Sequence, residues 1–402
     1  MPGQRPYRKR FTKAFPIFAP MTRWENYMNA AEEIVAAYDG SLPLHHFLKN
    51  FFKARPHMGS RDRRRVQQLV YQYYRLGKWQ PQLDVRERML LGTFLCETSP
   101  DALLGFFKPE WNERITGTVI DKLVFLNLRW DAASAFPFVS HLSEGIDPEA
   151  FTLSYLQQPR LFIRARPGKK AAILRLLEDA GVAHETTGDA IALANGIKIE
   201  ELLPDKRAYE VQDLSSQETG HRFRPQPKER WWDCCAASGG KSILLHDQQP
   251  SIGLTVSDVR ASILENLHKR FAEAGIKQYD ARVLDLTKPV TGFRPFKGII
   301  LDAPCSGSGT WGRSPEHLFY FTEDRITEYA ALQKKIAKHV TPLLEPGGRL
   351  VYITCSVFKE ENEDAVTFLQ NECGLEIEES GVIKGYDREA DTMFVAVGRN
   401  LT

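Results

Sequence analysis

At 402 residues the chain has room for two or three domains and a large core, and its 43% hydrophobic and 26% charged residues exclude a disordered or fibrous class. No apolar run is long enough for a membrane span, residues 1–20 have no apolar signal core, and the six cysteines contain no C-x-x-C pair; these absences argue against a membrane protein, a disulfide scaffold and structural zinc. The net charge of +2 hides an asymmetry: residues 1–80 carry 15 Lys/Arg against 5 Asp/Glu, a local +10, which leaves −8 for the rest and points to a polyanionic partner, most simply nucleic acid.

The expected setting is a reducing cytoplasm, with no membrane, no metal and a single chain as the working unit. Residues 1–20 read as a loose basic tail. Thr22 is placed to cap a helix reaching Ala37, with Tyr27, Ala30, Ala31, Ile34 and Val35 on one face. Helical pattern continues over 43–54 and again from Ser60, where Val66, Leu69, Val70 and Tyr73 form a buried stripe. Arg61, Arg63, Arg64 and Arg65 crowd the first turn of that helix, against the helix dipole, so either phosphate contact or a plain solvated face explains them. Two more helices fit 85–97 and 100–107, the second capped by Ser99. Residues 21–140 are therefore expected to be all-α, with a connection over 125–150 marked by Pro137, Gly145 and Pro148.

From about residue 150 to 210 a small α+β unit is expected. Residues 160–166 alternate as a half-buried strand with arginines opposite Leu161 and Ile163, which RNA contact or solubility explains equally well. A helix over 169–180 (Ala172, Ile173, Leu176, Leu177) and a strand over 190–194 follow, with a turn at Gly188 between them.

The third domain, residues 211–402, reads as an α/β doubly wound unit. Residues 231–242 (WWDCCAASGGKS) give strand, glycine turn and helix start, without either G-x-G-x-x-G or a complete phosphate loop. Strands at 254–258 and 282–285, and a helix over 261–274 closed by Gly275, lead to an apolar run, Ile299, Ile300 and Leu301. Successive strands thus end near Asp233, Asp258, Asp285 and Asp302, which together suit a polar nucleoside pocket. Two strand ends also carry thiols: Cys305 after Asp302, and Cys355 after RLVYIT. Residues 360–363 (EENE) read as the first turn of a last helix, before a closing strand over 392–397.

One strand-end cysteine is more often a small core residue than a nucleophile. Two at matching ends beside an acid point to chemistry. A nucleoside pocket without a phosphate loop, next to two thiols, fits S-adenosylmethionine and a carbon acceptor. C5 of a pyrimidine is a poor nucleophile until a thiolate adds at C6, so covalent catalysis splits one hard step into two. Asp302 would then stabilise the ring edge, and a second thiol would help to release product.

Taken as a set, DAPCSGSGTWGRSPE from Asp302, TCSVFKEENE from Thr354 and DCCAASGGKS from Asp233 resemble the Sun-type family of RNA (cytosine-5) methyltransferases. The resemblance implies a Rossmann-like catalytic domain over 211–402, preceded by a NusB-like all-α RNA-binding domain and a small RRM-like α+β domain. It implies Cys355 as the nucleophile, Cys305 as the thiol that assists release and Asp302 as a third catalytic group. It further implies S-adenosylmethionine bound by Cys235, Ala236, Ala237, Ser238, Gly239, Gly240, Lys241, Asp258, Asp285 and Asp302, and RNA, ribosomal RNA first, as partner. The residues alone do not rank the two thiols, because DNA cytosine methyltransferases use the P-C cysteine as nucleophile. Ser238 stands where the family has proline, and the late D-G-F-F motif appears as DTMF. The competing readings are a non-enzymatic RNA-binding assembly factor and a 5-methylcytosine transferase acting on tRNA.

Overall fold

In the computed structural model, residues 22–401 are described, and the basic tail lies outside them. The first helices run Arg23–Ala37, Leu44–Lys53, Ser60–Arg75, Val85–Cys96 and Ala102–Phe107. Thr22 caps the first by accepting from the Glu25 amide at 3.3 Å. The fifth helix is capped by Asp101, not Ser99: its carboxylate takes the Leu104 amide at 2.8 Å, because a carboxylate one residue from the first turn reaches the free N–H groups that Ser99 cannot. The arginine cluster splits. Arg65 pairs with Asp101 at 2.7 Å and Arg63 donates to the Met58 carbonyl, while Arg61 and Arg64 are exposed.

The small unit holds strands β1 (Leu161–Ala165), β2 (His184–Thr187), β3 (Ala190–Leu193) and β4 (Tyr209–Val211), in the order β2-β3-β1-β4 and antiparallel throughout. Helices Lys170–Asp179 and Ile199–Leu202 complete a β-α-β-β-α-β connection. Ile173 and Leu177 pack on Ile163, Ile191 and Leu193, whereas Ala172 and Leu176 are exposed, so the buried stripe is narrower than the sequence pattern implies. β2 lies outside the expected elements, since His184, Glu185, Thr186 and Thr187 have no apolar alternation. The arginines of this stretch divide: Arg160, before β1, is partly exposed and pairs with Glu185 at 2.8 Å, whereas Arg164 of β1 and Arg166 just after it turn inward. Arg164 and Arg166 both reach Asp247 of helix Gly240–Gln248, at 2.7 and 2.6 Å, and join the small unit to the large one.

Seven strands form the large sheet: β5 (Arg230–Asp233), β6 (Gly253–Asp258), β7 (Asp280–Val283), β8 (Phe296–Asp302), β9 (Leu344–Thr354), β10 (Leu375–Ile383) and β11 (Met393–Asn400). Their order is β10-β11-β9-β8-β5-β6-β7; β9 through β7 run parallel, and β11 and β10 are antiparallel additions. Strict alternation fills both faces: Ile300, Val351, Ile353 and Val395 point to one core, and Ile299, Leu301, Leu350, Tyr352 and Phe394 to the other. Gly298 is required in β8 because a Cβ there would meet the Trp231 ring at 2.3 Å. The chain order reverses between β5 and β8, the position where open α/β sheets bind ligands outside the strand carboxyl ends. β7 stops at Val283, two residues short of Asp285.

The expected connection over 125–150 is packed structure from Phe136 onward. Phe136, Phe138, Ile146, Phe151 and Tyr155 form one cluster with Trp311, Val357, Phe358 and Tyr386 of the large domain. Leu142 bridges Phe358 in antiparallel fashion, and the Ser143 amide and His141 carbonyl bond Val357 and Lys359 at 2.8 Å each. This segment therefore braces the stretch that follows Cys355.

Candidate active site

β8 and β9 pair in parallel with Asp302 opposite Ile353, so the residues just after them emerge side by side. Cys305 and Cys355 consequently meet, Sγ to Sγ, at 3.3 Å, and both are half-buried. The two turns are locked by backbone contact: the Gly309 amide donates to the Cys355 carbonyl, and the Thr392 amide to the Gly309 carbonyl, each at 2.9 Å. Gly309 has no substitute, since a Cβ would sit 1.9 Å from the Thr392 oxygen. The Cys305 thiol is held well above the usual thiol range, first by its contact with Cys355, then by burial and the negative charge of Glu361.

The sequence reads Glu361 as a helix-turn acid, and the structure differs. The last helix is Glu363–Asn371, and Glu361 lies before it with no exposed surface. One carboxylate oxygen accepts from the Ser306 amide and from Gln333 Nε2, both at 2.9 Å; the other accepts from Ser356 Oγ at 2.7 Å. Burial raises its affinity for a proton, and those donors oppose the shift. Glu360 takes His141 Nδ1 at 2.6 Å instead of capping the helix.

Residues 235–241 form the turn from β5 into helix Gly240–Gln248, with Gly239 in the left-handed region at φ +85°. The Ala237 amide donates to Asp258 at 3.1 Å, which holds the turn against the end of β6. Ser238 accepts from Arg270 through its hydroxyl at 2.7 Å and its carbonyl at 3.2 Å, and Arg270 also pairs with Glu210 of β4. Where proline would offer no hydroxyl, serine thus ties the turn to the small unit. Lys241 turns away from this loop: its ammonium lies 2.7 Å from Asp302, on the thiol side of the crevice. Burial works against its charge, but Asp302, Cys355 and Asp233 outweigh it and hold Lys241 above the usual lysine range. Asp285 sits in an exposed turn, its carboxylate engaged by Thr287 at 2.6 Å and Lys288 at 3.3 Å, which keeps it ionised to lower pH. Among the described residues there is no group of three or more metal-ligating side chains and no helix long and apolar enough to cross a membrane.

Asp233 lies beneath the loop, not in the crevice. It is fully buried, accepts from Ser242 Oγ at 2.6 Å, leaves its other oxygen unpartnered, and burial pushes its pKa up to about 7. An unfolded aspartate titrates near ~3.9, so between about pH 4 and 7 the folded chain binds one proton more than the unfolded chain, and stability falls as pH rises through that window. Asp233→Asn keeps the bond from Ser242 and removes the titration. We expect this variant to be more stable than the parent by about 4 kcal/mol above pH 7 and to match it near pH 4, read from denaturant midpoints across pH.

Residues 221–393 match the family model described as 16S rRNA methyltransferase RsmB/F. The chain is 35% identical over 236 residues to ribosomal RNA small subunit methyltransferase B of Erwinia tasmaniensis, covering 56% of this chain and 54% of that one. With the protein of the same description from Salmonella paratyphi B it shares 36% over 217 residues, 52% of this chain and 50% of the relative. It thus spans about half the length of the curated relatives it matches. Among solved structures it resembles PH0851, with a TM-score of 0.69 at 20% identity over 94% of this chain and 99% of that one. It also resembles NSun6 from Pyrococcus horikoshii with SFG, with a TM-score of 0.57 at 15% identity over 63% and 94%. The fold neighbours carry the Rossmann-like architecture, and the family match, which takes in less than half of the chain, runs from before β5 to the start of β11 and includes both cysteine turns, so residues 221–393 are similar to the RsmB/F methyltransferases.

Proposed function

We propose that the chain transfers a methyl group from S-adenosylmethionine to C5 of a cytosine in RNA, with ribosomal RNA as the substrate. The observation that carries the reading is the thiol pair at 3.3 Å beside the Lys241–Asp302 ion pair, at the reversal point of the sheet. The donor set fits the cofactor: a helix N-terminus without a phosphate loop, the Asp258 carboxylate at the end of β6 for ribose hydroxyls, and Asp302 at the end of β8. A fold neighbour was solved with SFG, an S-adenosylmethionine analogue. Bound S-adenosylmethionine supplies an electrophilic methyl group.

The remaining chemistry belongs to the chain's own side chains. Cys355 adds to C6 of the flipped base, which makes C5 nucleophilic. Lys241, held charged by Asp302, lies close enough to Cys355 for the two to interact. Asp302, on the same crevice, is positioned to take a hydrogen bond from the ring edge. Water takes the C5 proton, the electron pair left behind restores the C5–C6 double bond and breaks the C6–S bond, and Cys355 departs as a thiolate that accepts a hydrogen bond from the Cys305 thiol beside it.

The test is transfer of tritiated methyl from S-adenosylmethionine to bulk RNA by the purified chain, followed by bisulfite mapping of ribosomal and transfer RNA from cells lacking the gene. Label at C5 of ribosomal cytosine is the expected result. Label only in transfer RNA would change the substrate class, and RNA binding without label would make the chain a binding factor.

A further inference from the structure

Three partners hold the buried carboxylate of Glu361, and each belongs to the machinery around the thiols. Ser306 directly follows Cys305, Ser356 directly follows Cys355, and Gln333 also donates to the carbonyl of Pro304, the residue before Cys305, at 3.1 Å. The backbone carbonyl of Glu361 accepts from Tyr352 of β9 at 2.6 Å. One carboxylate oxygen accepts from two N–H groups, which only donate, and the other accepts from the Ser356 hydroxyl, so the hydrogen bonds suit the ionised form. Among the described residues no Lys, Arg or His pairs with this carboxylate. A tie between two turns needs only hydrogen bonds, and an uncompensated buried charge is a costly way to make one.

The charge has a direction. Glu361 bonds both turns, through the Ser306 amide and the Ser356 hydroxyl, and its charge acts on the Cys305 thiol, while the Lys241 ammonium, paired with Asp302, interacts with Cys355. The two sulfurs that share one proton at 3.3 Å therefore meet different charges, an anion at Cys305 and a cation at Cys355.

We propose that Glu361 is a positioning residue that clamps the two cysteine turns together and, by its charge, keeps the shared proton on Cys305, leaving the anionic, nucleophilic sulfur on Cys355. The inference deepens the two-thiol reading above and rests on it. Removal of one proton from the pair gives a monoanion, with the S–H on Cys305 donating to the Cys355 thiolate. No other reactant is involved.

Site-resolved alkylation of the full chain by iodoacetamide, followed by mass spectrometry as a function of pH, reads this directly and needs neither RNA nor cofactor. The parent is expected to alkylate at Cys355 in preference to Cys305. Glu361→Gln is expected to move the Cys305 profile to lower pH and raise its rate about 10-fold, one pKa unit's worth. Its methyl-transfer kcat should fall by about 10-fold or more, while KM for S-adenosylmethionine stays within about twofold. Glu361→Asp, which keeps the charge, should retain the parental preference. A folded Glu361→Gln with the parental ratio and profile overturns the proposal. So does an Asp variant that behaves like the Gln variant. If Glu361→Gln does not fold, the parent decides alone: Cys305 reacting as fast as Cys355 overturns it, and a clear preference for Cys355 upholds it. A chain with the expected alkylation pattern that methylates no RNA would sink the assigned activity and leave the role of Glu361 standing.

Discussion

Cys355→Ala is expected to lower methyl transfer to RNA on the order of 10³-fold or more, the scale on which loss of a covalent nucleophile shows elsewhere. The sulfur is half-buried at the mouth of a crevice, so the variant should fold, and the loss should be chemical. Cys305→Ala removes the partner 3.3 Å away but leaves the attacking sulfur, so it should form the C6 adduct and release it slowly. Denaturing gels of each variant with RNA and S-adenosylmethionine separate the two: a retarded protein–RNA band with Cys305→Ala, none with Cys355→Ala. The reverse pattern would exchange the roles of the two thiols. The sulfurs touch, so chemistry alone allows that exchange; the charge of Glu361 on the Cys305 thiol and the interaction of Lys241 with Cys355 favour Cys355 as the attacking sulfur.

Asp247→Ala should be the most damaging single change to stability. Arg164, 4% exposed, and Arg166 both converge on this carboxylate, whose side chain is 5% exposed. Removing it leaves guanidinium groups buried without a counter-ion, which costs about 3–5 kcal/mol where such pairs have been broken. Arg166 keeps its bond to the Ala274 carbonyl at 2.6 Å, and Arg164 its bond to Gln212, but Arg164 Nη1 and Arg166 Nε and Nη2 lose their acceptor together with the counter-ion. The measurement is the urea midpoint of Asp247→Ala against a triple variant, Asp247→Leu with Arg164→Met and Arg166→Met. The triple variant should recover most of the loss, because neutral side chains need no counter-ion. A loss below about 1 kcal/mol in the single variant would mean that water screens the pair as it does at a surface.

Much of the reaction centre is legible in the sequence. The apolar triplet before Asp302 and the run before Cys355 read as strands buried on both faces, and two parallel neighbours must end at the same sheet edge. What stays hidden is everything fixed by a partner distant in sequence. Glu361 reads as an acid suited to a helix dipole. Arg164 and Arg166 read as the wet face of a strand, Lys241 as part of a cofactor loop, and residues 136–150 as a connection. Local sequence sets side-chain period and backbone preference, because these depend on near neighbours; it determined most of the strands, though not β2, β4 or β10, the helix at 261–274 and the pairing of two thiols in one region. Which charge lies beside which sulfur depends on distances across the folded sheet, where burial makes each unpaired charge expensive, and only the tertiary packing of three units decided that.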